Sequence, residues 1–172
     1  MYRETDFEAI GKMDAVSLEE MSSVSLMNRI DTKFVTTVEK LRLVLEDAFQ
    51  AGYRVCEISG QRLMAYASVY YDTPDLQMYT AHRNGKKTRQ KVRVRTYLID
   101  DETFLEIKRK NNRGRTKKKR ISIPASSVMD FGAVPEASAF LEKKSWWKAS
   151  DLTPETTTDF CRFTLVNKAM TE

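Results

Sequence analysis

Apolar and polar positions alternate at period two through much of this chain, and they recur at helical spacing in two stretches near its start. Successive side chains of a strand point to opposite faces, so the alternation predicts strands. The predicted strands cover residues 29–36, 53–59, 63–72, 88–99, 103–110, 117–124 and 160–167. Turn formers separate most of them: Ser59-Gly60, Thr73-Pro74-Asp75, Asn84-Gly85, Asp100-Asp101 and Asn111-Asn112-Arg113-Gly114. The first helical stretch follows Ser17-Leu18-Glu19-Glu20, which has capping-box spacing ahead of Met21, Val24 and Leu26. The second covers residues 38–51, with Thr36 and Glu39 as a capping box, Leu41, Leu45, Ala48 and Phe49 as one stripe, and Gly52 as the stop. Residues 125–158 mix both patterns, with a helix expected over 135–148, where Trp146 and Trp147 read as packing residues.

The alternation also sorts charge from hydrocarbon. In Lys91-Val92-Arg93-Val94-Arg95 the three cations share one face and the valines the other. Arg29, Asp31 and Lys33 oppose Ile30 and Phe34, and Glu106 and Lys108 oppose Leu105 and Ile107. Lys118, Arg120 and Ser122 oppose Ile121 and Ile123, and Arg162 and Thr164 oppose Cys161, Phe163 and Leu165. An ordinary antiparallel sheet with one solvated face has the same period, but such faces mix charge signs. Here nine cations (Arg29, Lys33, Lys91, Arg93, Arg95, Lys108, Lys118, Arg120, Arg162) meet two carboxylates, Asp31 and Glu106. Like charges on neighbouring strands repel, and a bound polyanion reverses that sign.

Composition sharpens the location of this charge. The 172 residues suffice for one domain with a real core. The net charge of +5 conceals a segment, residues 83–120, with 16 Lys and Arg against 4 Asp and Glu. A local positive field points to an anion site rather than to general adhesion. Nucleic acid is not the expected partner, because no predicted helix carries the basic residues and no nucleic-acid motif is present. Cys56 and Cys161 lie in apolar, strand-like surroundings and read as reduced thiols. With no signal-like segment and no apolar run long enough to cross a bilayer, the default location is cytoplasmic.

Arg presents a planar fork suited to phosphate oxygens, Lys a point charge, and paired carboxylates can hold a divalent cation that bridges phosphates. The chemistry that fits is recognition of a chain of phosphates by a sheet curled into a channel, its charged face inward and its apolar face carrying helices. His82, placed in a turn before the basic strand, reads as structural or as a surface group, with no partner for a nucleophilic role.

In order along the chain, Arg29-x-Asp31-x-Lys33-Phe34, Tyr71-Asp72-Thr73, Tyr79-x-x-His82-x-x-Gly85, Lys91-Val92-Arg93-x-Arg95-x-Tyr97, Phe104-Leu105-Glu106-x-Lys108 and Lys118-x-Arg120 resemble the VTC domain. That polyphosphate-polymerase domain belongs to the triphosphate tunnel metalloenzymes, which include the CYTH phosphatases. The resemblance implies an α+β fold, an antiparallel β-barrel tunnel with helices packed outside, of which about seven of eight strands are recognised. It treats residues 1–172 as one domain: a helical segment 1–28, tunnel strands and helix 29–124, a helical insertion 125–158, and a last strand in 159–172. The family pattern continues past the Arg162 strand with another strand and an acidic metal ligand. This sequence stops short of them at Glu172, so an open sheet edge, able to pair with another chain, is expected.

The activity implied is transfer of the terminal phosphate of ATP to a polyphosphate chain with manganese or magnesium. The alternatives are hydrolysis of tripolyphosphate or nucleoside triphosphate, and binding of polyphosphate or inositol polyphosphate without turnover. By the same resemblance Lys33, Arg93, Arg95, Lys108, Lys118, Arg120 and Arg162 are phosphate ligands, the first four forming the catalytic set. Asp31 and Glu106 are metal-side carboxylates. Arg29 and Lys91 join the phosphate-binding set by their faces, with Lys91 expected to matter less than Arg93.

Overall fold

Eight strands and five α-helices form in the computed structural model, which describes residues 2–22 and 32–171. The strands are β1 (Ala15–Ser17), β2 (Arg54–Glu57), β3 (Met64–Asp72), β4 (Arg89–Tyr97), β5 (Glu102–Lys110), β6 (Thr116–Ser122), β7 (Thr153–Arg162) and β8 (Leu165–Val166). The helices are α1 (Glu8–Lys12), α2 (Leu18–Ser22), α3 (Val38–Gln50), α4 (Gln77–Arg83) and α5 (Pro135–Lys144). They divide into two compact units, one of residues 1–64 and 161–172, the other of residues 65–160. The class is α+β as expected, with β3 to β6 and the β2–β8 pair antiparallel, while β1 and β2 run parallel. The expected closed barrel is not found among the described residues: a three-stranded sheet, β1-β2-β8, and a five-stranded sheet, β6-β5-β4-β3-β7, stand in its place.

In the first unit, α3 lays Leu45 into a core with Phe7, Ile10, Met13 and Val55, and Leu41, Ala48 and Phe49 pack alongside. The helix starts at Val38 as expected, but its cap is Thr37 rather than Thr36, with Thr37 Oγ1 accepting the Lys40 amide at 3.3 Å. The Ser17 box forms as expected, with the Glu20 amide donating to Ser17 Oγ at 3.1 Å and the Ser17 amide to Glu20 Oε2 at 2.8 Å. The strand expected over 29–36 is not seen in its described part: residues 32–37 hold no strand, and Phe34 and Val35 are exposed. Alternation alone makes no strand without a neighbour to pair with. Residues 29–31 lie outside the described residues.

In the second unit, β3 to β6 form an antiparallel meander. Val69, Val92, Val94, Leu105 and Ile107 share the buried face, where Phe131 and the Ala137/Leu141 stripe of α5 cover them. Each such fully buried aliphatic side chain contributes about 1.5–3 kcal/mol. Between β5 and β6, Asn111 Oδ1 accepts the amides of Arg113 and Arg115, and Gly114 supplies φ +79°. That turn fixes the register of β5 against β6.

Two elements differ from expectation for identifiable reasons. Strand β7 begins at Thr153 rather than near residue 160, on Thr-rich exposed positions without an apolar alternation. Helix α4 holds His82 in its last turn, where a turn was expected. Its cap is Asp72, which is buried and accepts the amides of Met78 at 2.9 Å and Tyr79 at 2.8 Å. The Tyr71-Asp72-Thr73 motif is thus a structural clasp: Thr73 Oγ1 accepts the Gln77 amide, and the Tyr71 hydroxyl donates to the Val128 carbonyl.

Candidate functional site

The register of the second unit's sheet stacks the predicted cations into a grid on the face opposite α5. One row pairs Lys91 with Lys108 and Lys108 with Lys118. The next pairs Tyr70 with Arg93, Arg93 with Glu106, and Glu106 with Arg120. A third pairs Ser68 with Arg95, Arg95 with Phe104, and Phe104 with Ser122. Six cations therefore surround one carboxylate, Glu106.

Glu106 is the hub of this grid. Its side chain is fully buried, the Arg93 guanidinium grips Oε2 from Nε at 2.8 Å and from its terminal nitrogen at 2.6 Å, and the Lys118 ammonium lies against Oε1. Burial pushes the Glu106 carboxyl up, but the bonds from Lys118 and Arg93 more than reverse it, so it is held below the carboxylate value of 4.5. Burial likewise opposes the Arg93 charge, and Glu106 outweighs it. Arg93 also donates to the Tyr70 hydroxyl at 3.0 Å.

The remaining cations of the grid are placed without carboxylates. Arg95 donates to Ser68 Oγ at 3.0 Å and lies 5.3 Å above the Tyr66 ring and 5.1 Å from the Phe160 ring. Arg120 lies 4.2 Å above Phe104. Aromatic faces orient a guanidinium while leaving its fork open to an anion. Lys108 is half-buried, and among the described residues no carboxylate pairs with it. Burial, and then the neighbouring Arg93 charge, hold its ammonium below the usual lysine value. Burial and Arg93 do the same to Arg95.

A cavity of about 690 Å³ adjoins the grid at Tyr70 and Lys91, walled also by Tyr79, His82 and Glu155. Burial and the charges of Lys91, Arg89 and Lys110 lower the His82 pKa, which leaves its imidazole neutral near pH 7.

Seven of the predicted residues thus meet on one face: Lys91, Arg93, Arg95, Glu106, Lys108, Lys118 and Arg120. Lys33, exposed in residues 32–37, and Arg162, at the end of β7, belong to the first unit. Arg29 and Asp31 lie outside the described residues. Glu106 does not fit a metal ligand in this arrangement, since both its oxygens face cations. Among the described residues no three His, Cys, Asp or Glu side chains cluster as a metal site would require. Sequence reasoning missed the supports Tyr66, Ser68, Tyr70 and Phe104. The signal was there, since Tyr66-x-Ser68-x-Tyr70 repeats the same period two on the neighbouring strand.

A family model, that of the VTC domain, matches residues 28–171. No curated protein matches the chain. Among solved structures, the fold is similar to "a putative adenylate cyclase" from Vibrio parahaemolyticus, at 11% identity and a TM-score of 0.44. The alignment covers 78% of this chain and 59% of that one. Among the described residues no helix is long and apolar enough to cross a membrane.

Proposed function

The chain belongs to the VTC domain family, and from that premise we propose that the grid binds a chain of condensed phosphates and serves phosphoryl transfer from a nucleoside triphosphate to such a chain. The observation that carries this is Lys108: a half-buried ammonium with like charges beside it on both neighbouring strands. A phosphate chain supplies the missing counter-charge to Lys91, Lys108, Arg95 and Arg120 at once, which a single small anion does not. Arg93 and Glu106 hold the centre of the grid rigid, and Arg95 and Arg120 present guanidinium forks on aromatic supports. In phosphoryl transfer the protein mainly positions groups and neutralises charge, so no nucleophilic side chain is needed. The cavity beside Tyr70 and Tyr79 offers room for the nucleoside end of a triphosphate.

Calorimetry tests the reading. Tripolyphosphate is expected to bind more tightly than orthophosphate, and Arg95→Ala to weaken tripolyphosphate binding about ten- to hundredfold, the worth of a charged hydrogen bond. Equal weak binding of the two anions, or an Arg95→Ala variant with unchanged affinity, overturns it. Incubation with ATP then separates the activities: chain growth supports transfer, while orthophosphate release without growth supports the hydrolase.

A further inference from the structure

The basic run of β6 serves two faces. Lys118 and Arg120 join the grid, but Lys117 and Lys119 point the other way, toward the side covered by α5. There Lys117 pairs with Arg109 and Lys119 with Ile107. With Lys110, Arg115 and Lys144 from the last turn of α5, they line a cavity of about 360 Å³ that no acidic residue lines. Among the described residues none of these six cations has a carboxylate within ion-pair distance. The Arg109 guanidinium lies 4.8 Å above the Trp146 ring, which fixes it at the cavity wall. The buried Ile107 forms an apolar floor.

We propose that this cavity is a second site, on the reverse of the sheet, for a segment of condensed phosphate. Directly opposed cations such as Arg109 and Lys117 destabilise a strand pair unless an anion bridges them. Their side chains stand about 5 Å apart at the Cβ atoms. Six cations around one small cavity with no carboxylate call for an anion that carries several charges in a short length, as phosphates joined through single oxygens do more densely than phosphates joined through sugars. A single-stranded nucleic acid also needs open aromatic faces for its bases, and Arg109 already occupies one face of Trp146. The charge therefore favours an inorganic phosphate chain over RNA or DNA. These residues are distinct from the grid, so the two sites fail separately.

Trp146 and Trp147, the two tryptophans of the chain, both lie outside the grid, and Trp146 lines this cavity. Tripolyphosphate titrated into the full chain is expected to change tryptophan fluorescence saturably. The change should persist in Arg95→Ala and require about tenfold more ligand in Lys117→Gln/Lys119→Gln, the loss of about 1.4 kcal/mol. The exposed lysine pair leaves the core intact, and circular dichroism with a melting curve checks that the variant is folded. A signal absent from the wild type, or one unmoved by the lysine substitutions, overturns the proposal. A tighter response to an oligothymidylate than to tripolyphosphate also overturns it, as the mark of a nucleic-acid surface. If calorimetry shows Arg95→Ala without effect while the fluorescence behaves as stated, the grid reading falls and this one stands.

Discussion

Glu106 carries the electrostatic balance of the grid, because it is the one carboxylate among six cations and it lies fully buried. Removing one partner of a buried ion pair leaves the other charge uncompensated in a poor solvent, at a cost of about 3–5 kcal/mol. Glu106→Gln strands the guanidinium of Arg93, itself only 7% exposed, and a loss of stability of that size is expected in urea unfolding. The sign of the pH dependence follows from the depressed carboxyl. A carboxyl whose folded pKa lies below its unfolded value stabilises the fold above the unfolded value and loses that contribution as pH falls through the folded one. The wild type should therefore lose stability as pH drops below about 4.5, and Glu106→Gln should lose less over the same range. Parallel pH profiles for the two proteins would refute a structural role for this ion pair.

Elements fold here by two kinds of signal, one periodic and one local. Strands β4 and β5 were legible because they alternate hydrocarbon with charge, and β6 because its alternation resumes at Ile121 after a run of four cations; their order on the sheet follows from the turns at Asp100-Asp101 and Asn111–Gly114. The grid was legible for the same reason, since a face predicted strand by strand survives once the register is right. Helix α4 was not legible, because its cap reaches from Asp72, five residues before the first helical residue, across a Pro-containing turn. Residues 32–36 failed the other way: they alternate, but as described they lie exposed with no pairing strand. Asp72→Ala tests the clasp. It deprives the buried Met78 amide of its acceptor, and such orphaned donors cost about 1–3 kcal/mol. Amide exchange at Met78 and Tyr79 is expected to accelerate with the loss of α4, while β4 and β5 keep their protection. Unchanged exchange across α4 would show that the motif has another task.

At the scale of the whole chain, charge is segregated rather than merely positive. Residues 83–120 hold 16 of the 29 Lys and Arg and only 4 of the 24 Asp and Glu. Both faces of the basic hairpin lie in the unit of residues 65–160, so self-repulsion falls on one folded body. Simple salt screens such repulsion weakly and without saturation, over a Debye length of about 8–10 Å near physiological ionic strength. A bound polyanion acts differently, because it stabilises the folded form by mass action. At a hundred times its dissociation constant the gain is about 2.7 kcal/mol, or roughly 5–10 °C in the melting temperature of a domain this size. Tripolyphosphate should produce that shift at micromolar-to-millimolar concentrations, with sodium chloride held at matched ionic strength producing a far smaller one. Arg95→Ala and Lys117→Gln/Lys119→Gln should each remove part of the shift, and together most of it. Equal shifts from chloride and tripolyphosphate would mean that the cations meet only a diffuse ion atmosphere, and neither face would then be a site.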